Sequence, residues 1–301
     1  MLASLLAAVL NGLRERVGNE ESVMALVRNT YGKGQVRVMR VADAGGRQEV
    51  RELSVRTMLE GDFAAAYTEA DNRRVVATDT IKNITYIVAR ETLSAPTEVY
   101  AQKLALRFLE RYAHVSKATV TAHETKWSRM VVAGQEHPHG FVQDANGRPF
   151  AEVVATRDDV ATRSGIDGYT FLKSTASGWS NFWRDEYTTL PETDDRICAT
   201  AMDASWLWAT APADFGGANA LVLSTMLDVF ATTYSKGVQD SLYRMGEAAL
   251  AAVPELTSLT AACPNKHYLP LDLSRFGLDN DNRVFVPTDE PHGQIECTVA
   301  R

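Results

Sequence analysis

The glycine pair Gly45-Gly46 stands between two runs of alternating character, Val36–Val41 and Val50–Glu60, and turns the chain back on itself. Two glycines readily supply the backbone angles of a tight hairpin, and β-branched residues at period two suit a half-buried strand. The first two strands are therefore expected to pair antiparallel. The pattern continues with the Val-, Thr- and Trp-containing run Ala118–Ala133, which ends at Gly134. Asn146-Gly147 marks a second tight turn, and Phe150–Thr156 begins another strand. Between them, Pro96-Thr97-Glu98 opens a helix in which Val99, Leu104, Leu106, Phe108, Leu109, Tyr112 and Val115 share one apolar stripe, suited to cover one face of a sheet. The second half repeats this broad order without a residue-level repeat. Strands are expected at Ile166–Leu172 and Cys198–Trp208, helices at Ala218–Tyr234 and Ser241–Val253, and final strands at Tyr268–Leu273, Val284–Val286 and Ile295–Val299.

With 301 residues there is material for two domains of about 150 residues each. A net charge of -7 gives no overall electrostatic reason to bind nucleic acid. Cys198, Cys263 and Cys297 stand far apart without a CxxC pair, which argues against a zinc ribbon or a disulfide framework and suits reduced thiols. The apolar start Met1–Leu10 lacks a preceding basic region, so Ser4–Val17 is read as a short amphipathic helix or mobile leader. No other apolar run reaches the roughly 20 residues that span a bilayer. The ending Thr298-Val299-Ala300-Arg301 is not the Ser-Lys-Leu peroxisomal address, and a cytoplasmic location with no membrane partner is expected.

Polar chemistry concentrates in a few stretches. Val75–Asn83 reads VVATDTIKN, a short apolar run passing into Thr78, Asp79 and Thr80, residues able to cap a helix through side-chain oxygens. The same groups suit the mouth of a pocket, so helix cap and site both stay open. The following Ile81–Arg90 fits a helix as well as a strand. Gly32-Lys33-Gly34 lets an ammonium approach a ligand closely or simply makes a turn, and it lacks the phosphate-loop pattern. His137-Pro138-His139 wants a third ligand that the local sequence does not supply in a suitable form, which favours a polar hairpin tip over a metal site. Trp179–Tyr187 gathers aromatics and charges ahead of Arg196, a combination able to stack on and clamp a planar anion. For most of these residues, core packing with a surface ion pair is the simpler expectation.

Taken in order, these stretches resemble urate oxidases. The resemblance lies in Tyr31-Gly32-Lys33, in VATDTIKN (Val76–Asn83), in RDEYTTLPETDDRI (Arg184–Ile197), in Val238-Gln239, in LYRM (Leu242–Met245) and in PNKHY (Pro264–Tyr268). It implies an α+β chain of two tandem tunnelling-fold (T-fold) domains, residues 21–148 and 149–301 after a leader of residues 1–20. Each has an antiparallel sheet with helices on one face, and the domains assemble into a tunnel-shaped barrel. It further implies a homotetramer with sites at subunit interfaces and oxidation of urate by dioxygen to 5-hydroxyisourate and hydrogen peroxide, with no metal or organic cofactor. Arg196 and Gln239 would bind the edge of urate, with the backbone of Val238 beside them. Trp179 would be the stacking ring in place of the family's usual phenylalanine, with Phe182 as the alternative. Lys33, Thr78 and His267 would form a proton relay, Asn265 and Thr78 would hold dioxygen or peroxide, and Asp79 would contact urate through its backbone or orient its neighbours. A lysine close to Arg196 and out of water would have its charged form disfavoured, as a base requires.

Overall fold

The computed structural model describes residues 24–301, so the leader expected at residues 1–20 lies outside the described residues. Strands β1 (Tyr31–Ala44) and β2 (Arg47–Gly61) form the hairpin around Gly45-Gly46. The short helix α1 (Ala64–Thr68), then α2 (Thr78–Glu91) and α3 (Thr97–Arg111), lead into β3 (Val115–Val132), β4 (Gln135–Asp144), β5 (Arg148–Thr156) and β6 (Val160–Lys173). A long connection reaches β7 (Cys198–Trp208), followed by α4 (Phe215–Thr232), α5 (Val238–Ala252), β8 (Leu256–Pro270) and β9 (Phe285–Ala300). All pairings are antiparallel and join one sheet in the order β1-β2-β3-β5-β6-β7-β8-β9, with β4 paired to the far half of β3.

Period-two alternation decides which face the helices cover. Leu53, Val55 and Leu59 on β2, Ala118, Val120 and Ala122 on β3, and Val153 and Ala155 on β5 are buried beneath α2 and α3. Ile81, Ile84 and Val88 recur at helical spacing and face this core, which settles Ile81–Arg90 as helix. A second core holds Met202, Ala204 and Trp206 of β7 and Leu259 and Ala261 of β8 against Val222, Met226 and Phe230 of α4 and Leu242 and Met245 of α5. α4 has the length and apolar composition of a membrane span, but this inner stripe is built into the core. The opposite face of the first half is polar, with Ser54, Arg56, Thr121, His123 and Glu152 along one groove.

Three expectations need correction. The separate strands placed at Val284–Val286 and Ile295–Val299 are one continuous strand, β9. The strand placed at Tyr268–Leu273 is the end of a longer β8 that begins at Leu256. Pro264 disguises it in the sequence, yet sits within the ladder opposite Gln294, one residue before the irregularity at Asn265/His267. The His137/His139 pair is not at the hairpin tip, where Ala133 and Gly134 take positive φ; the two rings stand edge to face inside β4 at 4.5 Å.

A buried polar network ties the halves together. Glu98, at 4% exposure in the first turn of α3, accepts from Ser164 Oγ on β6 (2.6 Å) and from Asn219 Nδ2 on α4 (2.7 Å). Trp208 Nε1 donates to Ser164 Oγ, and Trp206 Nε1 to Asn219 Oδ1, at 2.8 and 2.9 Å. Replacing Glu98 with Ala strands one buried and one half-buried donor and should lower the unfolding free energy by about 2–4 kcal/mol. A urea midpoint unchanged from that of the unaltered chain would show that the network does not join the halves.

Candidate functional site

The first group of site residues is set by β1 and the start of α2. A Cβ at Gly32 would overlap the Thr57 carbonyl oxygen on β2, so only glycine fits between Tyr31 and Lys33. Tyr31 Oη accepts from the Val76 amide at 2.7 Å and donates to the Val76 carbonyl at 3.2 Å, pinning the approach to α2 onto β1. Its ring stands edge-on to Phe63 at 4.8 Å, and burial raises its hydroxyl pKa. The β1–β2 register shifts between Lys33 and Val36, with Gln35 at φ 53°, a bulge that re-aims the strand beside Lys33.

The capping expectation for Val75–Asn83 is half right. A helix does begin there, but its first flanking residue is Ala77, which makes no side-chain cap. Thr78 and Asp79 lie inside the first turn. Asp79 receives Lys82 Nζ at 2.5 Å and Asn83 Nδ2 at 3.0 Å. Lys82, with smaller help from Asn83 and Lys33, holds that carboxyl below its usual range. The amides opening α2 thus lack a side-chain cap and face outward from exposed residues.

The second group is built on a miniature ladder. Ser177–Trp179 lies between Thr193–Arg196 and Ser235: Arg196 N–H donates to the Ser177 carbonyl (2.8 Å), Trp179 and Thr193 exchange bonds (2.7 and 3.0 Å), and Gly178 N–H donates to Ser235 (2.9 Å). Tyr234 Oη donates to the Asp194 carbonyl at 2.7 Å. Lys173 Nζ reaches the Phe230 and Thr233 carbonyls at the end of α4, at 3.1 and 2.7 Å, and burial lowers the pKa of its ammonium. Ser241 Oγ donates to the Gly237 carbonyl (3.2 Å) and lies 2.7 Å from Ser235 Oγ, fixing the entry to α5.

Functional groups converge on this frame. The Arg196 guanidinium is 5.9 Å from the Trp179 ring, and burial pulls its pKa down although it stays cationic. Its Nε is buried without a hydrogen-bond partner. Val238 and Gln239 open α5, which again has no side-chain cap. Val238 and Asn265 line one small apolar cavity with Phe171, Cys198, Phe230 and Cys263. His267 follows Asn265 on β8, past the ladder irregularity. The Cys263 thiol is pushed up to about 12 by burial, so it is protonated and unreactive at neutral pH.

The chain thus makes two clusters. Lys33, Thr78 and Asp79 form one, and Trp179, Arg196, Val238, Gln239, Asn265 and His267 share the other half of the chain. β1 and β8 are six strand spacings apart, roughly 29 Å along the sheet. Lys33 is therefore not beside Arg196 within one chain; Lys173, opposite Cys198 in the ladder, is a lysine of that half. Trp179 and its alternative Phe182 stack on each other at 5.7 Å and 10°. Core packing of the aromatic stretch fails at Trp183 and Tyr187, which are 87% and 82% exposed. Tyr31, Lys173, Ser235 and Ser241 were missed because each acts through backbone groups brought near only by folding; Tyr31 alone carried a signal, its place beside Gly32-Lys33.

The uricase family model matches residues 29–154 and 162–296. The uricase of Arthrobacter globiformis is 39% identical, over 92% of this chain and 90% of that protein. The Aspergillus flavus uricase is 38% identical (90% and 95%), and the Oryctolagus cuniculus uricase 34% (91% and 94%). The crystal structure of the Arthrobacter globiformis uricase superposes with a TM-score of 0.88 at 38% identity, covering 93% of this chain and 96% of that one.

Removing the Tyr31 hydroxyl tests how the first cluster is held. Tyr31→Phe leaves the Val76 amide and carbonyl without their shared partner and should cost about 1–2 kcal/mol in chemical unfolding. A cost below a few tenths would mean that packing alone sets the start of α2.

Proposed function

The chain belongs to the uricase family and is a urate oxidase of T-fold architecture, and we propose how its residues carry out the reaction. The observation that carries the assignment of roles is the half-buried guanidinium of Arg196, its Nε unpartnered, beside an aromatic face and in the same half as an uncapped helix start. Urate is a flat anion with carbonyl and N–H groups around its rim. Trp179 stacks on its face, and Arg196 offers the planar donor fork. Gln239 donates and accepts at the rim, and the Val238 amide adds a donor where the helix dipole favours negative charge.

The second substrate is dioxygen. Two electrons pass from urate to dioxygen, water adds to the oxidised ring, and urate, dioxygen and water become 5-hydroxyisourate and hydrogen peroxide. Atoms and electrons balance without an added redox group, so the protein's task is to take a proton and hold the reactants. Thr78 is a weak base alone, and Lys33 and His267 complete its relay. Asn265 and Thr78 hold dioxygen, then peroxide, above the urate plane, and the Asp79 backbone touches the rim.

The clusters meet between copies of the chain. β1 and β9 are long outer strands, each paired on one side among the described residues, and such edges invite another copy. A homotetramer around a tunnel joins Lys33, Thr78 and Asp79 of one copy to Arg196 and Gln239 of the next, with residues 21–148 and 149–301 as the two domains of each copy. The three free thiols suit a reducing compartment, and the cytoplasm is the location proposed.

Lys33→Ala or Thr78→Ala should lower kcat about 10²-fold while an inert urate analogue still binds. Retention of near-full turnover by either variant refutes the relay. Co-refolding inactive Lys33→Ala and Arg196→Ala chains should restore part of the activity, because mixed assemblies contain some sites built from two intact halves. No recovery from co-assembled, well-folded chains places each site within one copy. Peroxide formed in less than a one-to-one ratio with dioxygen consumed would contradict the proposed stoichiometry.

A further inference from the structure

Gly237 precedes α5 with φ 178° and ψ 163°, an extended conformation open to any residue. Conformation therefore does not explain glycine here. Space does: a Cβ at Gly237 would lie 2.8 and 3.3 Å from Trp179 Cζ3 and Cε3, and 3.2 Å from Gln239 Oε1. Both neighbours are substrate-binding groups, so one missing methyl group sits where the stacking ring meets the rim amide. The indole has little freedom to move aside. Its outer face is covered by the nearly parallel Phe182 ring, its backbone is locked to Thr193 in both directions, and the Arg196 guanidinium lies close to it.

We propose that Gly237 is a positioning residue for urate recognition, giving the Trp179 indole and the Gln239 amide the space in which both meet one substrate. The inference rests on Trp179 being the stacking ring. The indole is larger than the phenyl ring that the family resemblance led us to expect, and its six-membered ring carries the atoms facing Gly237. Bulk at position 179 and its lack at position 237 are thus one coupled choice. A side chain at 237 tilts the indole or turns the amide, and a smaller ring at 179 removes the conflict.

The test is a set of variants assayed for urate KM and kcat, for affinity toward an inert purinedione analogue of urate, and for thermal unfolding. Gly237→Ala should raise KM and weaken analogue binding about tenfold with a smaller change in kcat, since stacking and a rim hydrogen bond are lost while the proton relay is untouched. The double variant Trp179→Phe/Gly237→Ala should recover most of that loss. A purely structural role predicts instead a lower unfolding temperature without a selective KM effect. A Gly237→Ala defect undiminished in the double variant overturns the coupling, as does Gly237→Ala with unchanged KM. Trp179→Ala serves as the control: unchanged analogue affinity there overturns the stacking reading itself, whereas a loss with no Gly237→Ala effect overturns only the role of Gly237.

Discussion

One continuous antiparallel ladder governs this structure. Because the strands other than β4 pair in turn from β1 through to β9, the hairpin carrying Lys33 lies toward one end of the sheet and β8, carrying Asn265 and His267, lies toward the other. Helices can pack only where alternation leaves an apolar face, so α2 and α3 cover the first half of the sheet and α4 and α5 the second, and α2 and α5 each start near a cluster of polar side chains. A sheet built this way cannot bring its ends together without curving through a full turn. In the proposed assembly, further copies cover the exposed edges and join the clusters in one step, so that the quaternary structure would be part of the site's chemistry.

Rigidity within each half comes from small buried groups. In the second half, the Ser177–Trp179 ladder, the Ser235–Ser241 hydroxyl contact and the Lys173 ammonium on the α4 carbonyls hold loops that have little core of their own. Burying Lys173 and Arg196 opposes folding, since desolvation disfavours both cations. Lys173 recovers part of this through two carbonyl contacts. Arg196 leaves one nitrogen unpaired, and an anionic ligand that supplies an acceptor there removes a penalty already present in the empty site.

What was legible in the sequence follows from the range of the forces involved. The hairpin at Gly45-Gly46, the helix after Pro96 and the strand Cys198–Trp208 are set by local period and turn chemistry, and the structure places them as read. Pro264 hid most of β8, because a proline inside a ladder is tolerated only through its neighbours' irregular pairing. The site was legible as residue types in family order, yet the frame around it was not. Tyr31 meets Val76 across 45 residues of sequence, and Gly237 is a glycine only because Trp179 arrives beside it. Neither constraint has a local pattern.

The two helix starts at the site show how the fold reserves donors for a ligand. An ordinary helix start is closed by a side chain, as α4 is by Asp214, whose carboxylate accepts from the Gly216 amide at 2.9 Å; losing such a cap costs about 0.5–2 kcal/mol. α1, α2, α3 and α5 all forgo it, and α2 and α5 do so although each has an aspartate in its first turn. In each case the carboxylate is drawn along its own helix by a cation: Asp79 by Lys82 and Asp240 by Arg244, the latter at 2.9 Å. The aspartates answer the helix dipole without occupying the first amides, and those of Thr78, Asp79 and Val238 stay open to an external anion. Under the proposed roles, both clusters offer such donors to one negatively charged substrate, and in the proposed assembly the flat, rim-functionalised urate anion reaches both helix starts where two copies bring them face to face.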